Sequence, residues 1–379
     1  MKFLHIACDE KFIPFVQDSF EEVWPGENKF VILEHKINNR WRFVHSYGNE
    51  VVGDLAYFLL GSLKKDLIWC DMLIVHSLTE LGAYAIKMAP EALPVFWSGW
   101  GADYYGFIYK NSNDLVLKKT EKLLDSCEKD NIKANQNVKS VLKNALQSHL
   151  LRNVIENAIP RVDFFSSPVP EDFYLLQHSM PSLKAQYYQI NYSSNEAMEI
   201  TRPHNWHGKD ILVGNSATGT NNHVEIFELL KHMSYNKGKI VVPLSYGNES
   251  YKGKILEVGR ELLGDRFFPL VDFMPLTQYN GVISNCSFVI MNHRRQQALG
   301  NILAMMYYGE RVYLRPENTI FKFFSAREGH ISDIQSLESD NNALVKLEKW
   351  QIDDNREIIS RYFSRSAVIS RIRDLSKLL

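Results

Sequence analysis

The sequence predicts an α/β protein built on open, doubly wound parallel sheets. Three observations carry that expectation. Short apolar segments alternate with amphipathic ones along most of the chain, which is the pattern of βα repetition. In the second half, successive apolar segments end in polar or glycine-rich turns, as the strand ends of a nucleotide-binding sheet do. At 379 residues the chain also exceeds what one hydrophobic core usually supports, so two domains are expected.

Taken in order, the first half offers apolar strands at residues 3–8, 30–33, 72–76 and 93–97, with helical spacing over 51–63. From 111 to about 157 the composition turns to Lys, Asn, Gln and Leu without Gly or Pro, and predicts long helical material with a partly basic face. Residues 160–168 return to the sheet, closed off by prolines. Residues 189–209, rich in Asn, Ser, Pro and His, have neither periodicity and form the expected linker. The second half then reads strand 210–213, helix 222–235, strand 239–244, helix 252–263, an apolar stretch at 267–273, strand 288–291, helix 298–308 and strand 311–314.

Composition excludes several classes. Hydrophobic residues make up 45% and charged residues 23%, which is ordinary for a globular chain and argues against disorder. A net charge of −1 gives no global basic field, so no nucleic-acid partner is expected. Cys8, Cys70, Cys127 and Cys286 lie far apart, without a C-x-x-C pair, which fits a reducing cytoplasm and neither a zinc site nor a disulfide framework. The first ten residues become acidic too soon for a secretory leader and read as a first strand. No apolar run approaches the roughly 20 residues of a membrane-spanning helix, so any work at a membrane is expected from its surface.

Ligands of open α/β sheets bind beyond the carboxyl ends of the strands, and three such ends in the second half are polar. The segment Asn292-His293-Arg294-Arg295-Gln296-Gln297 runs from an apolar strand into a helix, placing guanidinium forks, side-chain amides and helix-terminal N–H groups around one spot, as a diphosphate requires. The loop from Gly214 through Asn215, Ser216 and Thr218 to Asn222 brings small residues and hydroxyls before a helix, although Asn215 and Ser216 would serve equally as helix caps. Ser245-Tyr246-Gly247 is the third end. Neither G-x-G-x-x-G nor a P-loop with its lysine is present, so dinucleotide binding and ATP hydrolysis find no support.

In the first half, Trp97-Ser98-Gly99-Trp100-Gly101-Ala102-Asp103-Tyr104-Tyr105 joins aromatic walls to a carboxylate directly after a strand. Aromatic faces beside a carboxylate can hold a sugar ring and deprotonate its hydroxyl; the bland alternative is core tryptophans with Asp103 capping a helix. His76, at the end of another strand, ranks second as a catalyst and is equally a structural histidine. No Asp-x-Asp occurs, so the usual carboxylate pair that holds a divalent cation is missing and no metal is expected. Without a G-x-S-x-G elbow or H-E-x-x-H motif, hydrolase readings weaken.

Five motifs taken together carry a resemblance: Trp100-Gly101-Ala102-Asp103-Tyr104-Tyr105, then Ile211 through Ser216, Ile240 through Tyr246, Arg295-Gln296-Gln297 with Gly300, and Arg315-Pro316-Glu317-Asn318. The chain resembles the bacterial 4-acetamido-4,6-dideoxygalactose (Fuc4NAc) transferases, the 4-alpha-L-fucosyltransferase-like glycosyltransferase family 56. The resemblance spans most of residues 95–325 and is weak over the first 90 and last 50 residues. The stretch 113–147 looks longer than its counterpart and the loop 216–222 differs in detail.

The resemblance implies a GT-B fold of two Rossmann-like domains facing across a cleft. Residues 1–195 would form the acceptor domain, 205–335 the donor domain, and 336–379 a helical segment packing back towards the first. It further implies an inverting, metal-independent transfer, without cofactor, from a dTDP-activated deoxyamino sugar to a polyprenyl-diphosphate glycan, by a cytoplasmic enzyme peripheral on the inner membrane. Asp103 would be the base, with His76 behind it. Asn215, Ser216, Thr218, Tyr246, Arg294, Arg295, Gln296, Gln297, Asn301 and Glu317 would bind the donor, and Trp100, Tyr104 and Tyr105 the acceptor. Lys118, Lys119, Lys122, Lys139 and Lys143 would offer a basic face to lipid head groups, or simply a solvated helix face. Two rivals stand beside this reading: another GT-B sugar-nucleotide enzyme, epimerase-like, and a non-catalytic nucleotide-sugar-binding module.

Overall fold

A computed structural model describes residues 1–34, 41–109, 111–134, 153–190, 208–340 and 342–378. The described residues form two compact units. The first draws on Met1–Ile108, Asn137–Ser194 and Phe363–Leu379, the second on Tyr109–Gln136 and Asn195–Tyr362.

The first unit is organised by a seven-stranded sheet whose described pairings are all parallel. Its strands are β1 (Phe3–Ala7), β2 (Asn28–Ile32), β3 (Glu50–Val52), β4 (Met72–His76), β5 (Val95–Ser98), β6 (Phe164–Ser166) and β7 (Gln186–Tyr187), in the order β3-β2-β1-β4-β5-β6-β7. Burial on both faces explains the near-continuous apolar runs of β1, β4 and β5. Strands β3 and β7 lie at the edges and are short, and the sequence did not disclose them. Residues 51–63, expected as one helix, divide into the end of β3, a helix at Leu55–Leu59 and the start of another at Ser62–Trp69. The C-terminal helix Arg365–Asp374 packs Val368 and Ile372 into the core formed by Phe3, Phe20, Phe30 and Met72. Tyr188 clamps it by donating its hydroxyl to the Arg371 carbonyl at 2.6 Å.

The second unit carries a six-stranded parallel sheet: β8 (Asp210–Val213), β9 (Ile240–Pro243), β10 (Phe267–Leu270), β11 (Cys286–Met291), β12 (Arg311–Leu314) and β13 (Ser332–Asp333), in the order β10-β9-β8-β11-β12-β13. Its core joins Ile211, Val213, Phe227, Val242, Tyr251 and Ile290. The helix Lys118–Ala134, grouped by the sequence with the first domain, belongs here. Its amino end is capped by Glu225, which accepts from the Lys119 and Thr120 amides at 2.8 and 3.0 Å and from the Thr120 hydroxyl at 2.6 Å. Lys119 pairs with Glu228, so that part of the expected basic face is neutralised within the unit. Lys139 and Lys143, and most of the expected linker, lie outside the described residues. No described helix is long and apolar enough to cross a membrane.

Candidate active site

In each sheet the strand order reverses once, between β1 and β4 and between β8 and β11. Side chains just past the carboxyl ends of those strands have the space that ligands of open α/β sheets use.

In the second unit, β8 ends at Gly214, whose φ is +67°. A Cβ there would stand 2.7 Å from both Asn221 Oδ1 and His223 Nε2, so glycine is what lets the chain turn against them. The buried Asn221 holds the loop closed: its Oδ1 accepts the Asn215 amide at 2.9 Å, and its Nδ2 donates to the Ser216 carbonyl at 2.9 Å and to Thr218 Oγ1 at 2.8 Å. His293, past the end of β11, bonds the same Oδ1 through Nε2 at 2.8 Å. Burial, reinforced by the Arg295 charge and His223, pushes the His293 pKa down to about 3, so the ring is neutral and its Nε2–H donates. Two strand-end loops are thus locked in register.

Above this buried knot lies a more open layer. Gln297 Nε2 donates to Asn215 Oδ1 at 2.8 Å, Asn215 Nδ2 donates to the Tyr246 hydroxyl at 2.9 Å, and Thr220 Oγ1 donates to Gln297 Oε1 at 2.8 Å. Four side chains from three strand ends form one hydrogen-bonded chain, capped by the half-exposed ring of Tyr246. Beside it, Glu317 Oε1 accepts from Arg315 Nε at 2.7 Å and from Arg294 Nε at 3.3 Å. Burial pushes the Glu317 carboxyl up, but Arg315 and Arg294 outweigh it and hold the group below its ordinary value. Asn318 Nδ2 donates to the carbonyls of His293 and Arg295, at 3.0 and 2.6 Å, and fixes the path of the arginine loop. The helix Leu299–Tyr308 then starts from Ala298, which has φ of +60° and provides no side-chain cap.

Several expected roles change on this geometry. Asn215, Tyr246 and Gln297 do converge. Ser216 is buried, with its hydroxyl turned onto Thr218 at 3.1 Å, so both hydroxyls brace the loop from inside. Gln296 is also buried. Glu317 is a counter-ion for two arginines at Oε1. Asn301 bonds the Tyr279 hydroxyl at 2.9 Å from the first turn of its helix. Sequence reasoning assigned no role to Arg315, Thr220, Asn221, His293 or Asn318; the first stands at the end of β12, so the same strand-end rule could have found it.

In the first unit, Asp103 is a joint. Its Oδ1 accepts the Trp100 amide at 2.8 Å, while Oδ2 accepts the Leu78 amide at 2.9 Å and Trp97 Nε1 at 2.8 Å. It ties the loop after β5 to the turn after β4, where Ser77 is held at φ +57°. Burial raises its pKa above the ordinary value despite these donors. With three N–H groups aimed at it, the carboxylate positions the loop rather than standing open to a substrate hydroxyl.

His76 is not at a cleft. It is buried, its Nε2 lies 3.0 Å from His5 Nδ1, and burial pushes its pKa down to about 3. Tyr104 and Tyr105 are buried too, both donating to the Asp172 carboxylate at 2.7 and 2.5 Å, which makes them core rather than acceptor contacts. Trp100 is partly buried and meets the Phe12 ring edge-on at 5.7 Å.

The family model for 4-alpha-L-fucosyltransferase, glycosyl transferase group 56, matches residues 149–364, more than half of the chain. The chain belongs to this family. It is accordingly a glycosyltransferase, and the matched span contains every strand-end loop of the second unit's network while omitting the Asp103 loop. Solved structures share the fold across the whole length. HepE of Anabaena in complex with UDP and glucose is 10% identical, with 100% of both chains covered and a TM-score of 0.64. Sucrose-phosphate synthase from Thermosynechococcus elongatus is 10% identical, covering 100% of this chain and 99% of that one, with a TM-score of 0.60. The apo form of the lipopolysaccharide outer core galactosyltransferase WaaB is 11% identical, with 100% of each covered and a TM-score of 0.59. Group 56 membership and these neighbours give two Rossmann-like domains of the GT-B class.

Proposed function

We propose that this group 56 transferase moves a 4-acetamido-4,6-dideoxyhexose of the Fuc4NAc type from a dTDP-sugar to a polyprenyl-diphosphate-linked glycan during surface-polysaccharide synthesis. The observation that carries the donor half is the Thr220–Gln297–Asn215–Tyr246 chain, flanked by Arg294 and Arg295 at the reversal of the second sheet. Guanidinium groups and the uncapped amino end of the helix Leu299–Tyr308 match a diphosphate, and the exposed Tyr246 ring offers a face to a base or sugar. Anabaena HepE, alike in fold, was solved with UDP and with UDP-glucose, which supports a nucleotide-sugar donor.

In this mechanism the bond between the anomeric carbon and the diphosphate oxygen breaks as the acceptor oxygen attacks from the opposite face, inverting the centre. The hydroxyl proton is lost to a base and dTDP departs. Arg294, Arg295 and the helix amino end stabilise the charge developing on the leaving diphosphate, a task that in many transferases falls to a divalent cation. The lipid-linked acceptor places the enzyme at the cytoplasmic face of the inner membrane, and the first unit would hold it.

Calorimetric titration with dTDP, UDP and GDP tests the donor. The expected outcome is preferential binding of dTDP by the native enzyme, weakened about tenfold or more by Arg295→Ala, the scale of one charge-assisted contact. An Arg295→Ala enzyme with the native dissociation constant would refute the site.

A further inference from the structure

The first unit carries an apolar surface that neither its core nor the sugar-transfer site uses. The helices Leu55–Leu59 and Ser62–Trp69 form a hairpin after the edge strand β3, turning at Gly61 with φ of +97°. One side of this hairpin is ordinary: Tyr57, Phe58, Leu63 and Leu67 are buried. The other side is apolar as well, and it faces outward. Leu55 is 66% exposed, Leu59 64%, Leu60 83% and Ile68 71%. Single exposed leucines are common, but four large exposed aliphatic side chains on one short hairpin are a concentration of the kind that marks an interaction surface.

The charge around the patch is one-sided. Within the hairpin, residues 55–70, the charged side chains are Lys64, Lys65 and Asp66; the flanking carboxylates Asp54 and Asp71 accept the Tyr57 and Lys2 amides at 2.9 and 2.7 Å. Both lysines are exposed, whereas Asp66 is buried, accepting from the Tyr57 hydroxyl at 2.7 Å and paired with Lys29 at 2.7 Å. Lys64 stands one helical turn from Ile68, so an ammonium and an exposed aliphatic group share a stripe. Helices that present apolar groups at their surface with lysines at the rim lie in the interface of a bilayer, where the chains enter the acyl boundary and the ammonium groups meet lipid phosphates.

We propose that this hairpin is the membrane-docking surface of the enzyme, with Leu55, Leu59, Leu60 and Ile68 entering an anionic phospholipid bilayer and Lys64 and Lys65 meeting its phosphates. The choice of a bilayer as occupant rests on the charge pattern and on the lipid-linked acceptor proposed above. Of the lysines of residues 118–143, Lys119 is spent on Glu228.

Vesicle flotation with the full-length protein tests the surface. The native protein should bind phosphatidylglycerol–phosphatidylethanolamine vesicles, weakly or not at all phosphatidylcholine, and less as salt is raised. The double variant Leu59→Asp, Leu60→Asp should lose at least about tenfold in vesicle affinity, since two buried side chains are removed from the acyl region. Lys64→Glu, Lys65→Glu should abolish the salt-sensitive part. These positions are exposed, so circular dichroism and dTDP binding should match the native protein; dTDP titration thereby reports separately on the sugar-nucleotide reading. Native-like flotation of either variant, or no binding of anionic vesicles by the native protein, would overturn the proposal. So would a native dimer that Leu59→Asp, Leu60→Asp converts to monomer, because the occupant would then be a second copy of this chain.

Discussion

Replacing Asp103 by Asn separates two roles that the sequence left joined. The side chains are nearly isosteric, so the change removes charge and one acceptor with little change of volume. The carboxylate receives one N–H at Oδ1 and two at Oδ2. An amide has a single oxygen. In its better orientation that oxygen faces Leu78 and Trp97, and the new NH2 is turned against the Trp100 amide. One hydrogen bond to a charged group is lost, about 1.5–3 kcal/mol, and the two that remain become neutral and weaker. Relief of the cost of ionising a buried carboxylate, which is what raises this group's pKa, offsets part of the loss. A net destabilisation of about 2 kcal/mol is expected, or a fall of roughly 4–8 °C in the melting temperature of the first unit. Differential scanning calorimetry and transfer kinetics on the same sample provide the assay. A positioning residue predicts this melting shift with activity reduced about tenfold or less in the folded fraction. An Asn variant that melts like the native enzyme but has lost about a thousandfold in turnover would refute the reasoning and restore Asp103 as the base, since general-base groups are worth about 10²–10⁴.

Three other outcomes are expected. His76 in the first unit and His223 and His293 in the second are buried with pKa values lowered to about 3, so their neutral forms stabilise each fold fully above about pH 6.5; that contribution falls as pH drops from there towards 3, at about 2 kcal/mol per histidine by pH 5, and a flat urea midpoint between pH 7 and 5 would contradict it. Gln297→Ala severs the links to Asn215 and Thr220 and should weaken dTDP binding about tenfold with stability nearly unchanged, measured by calorimetry and by melting. Transfer activity should survive exhaustive treatment with EDTA, and its loss with recovery on adding magnesium would overturn the metal-independent mechanism.

Much of the fold was legible because the central strands of parallel sheets are buried on both faces and must be apolar. Residues 72–76, 210–213 and 311–314 have the expected bounds. Edge strands β3, β7 and β13 were not legible: half-exposed segments of two or three residues carry no such signature. The residues of the proposed donor site were partly legible, because a strand end followed by a helix has a recognisable grammar of Gly, Asn, Arg and Gln. His76 went astray through parity. Alternate residues of a strand share a face, so His76 points with Met72 and Ile74 into the core, where His5, on the face of Phe3 and Ala7, meets it.

By itself the sequence determined that this chain folds as two parallel α/β units and that polar side chains would gather at strand ends of the second, because burial and turn chemistry are local properties. Tertiary structure alone decided which of those groups reach one another. Nothing local pairs Tyr104 and Tyr105 with Asp172, 67 or more residues away, or Asn221 with His293. Nor does anything local tell the buried leucines of residues 55–69 from the exposed ones; that depends on which side of the hairpin the sheet occupies.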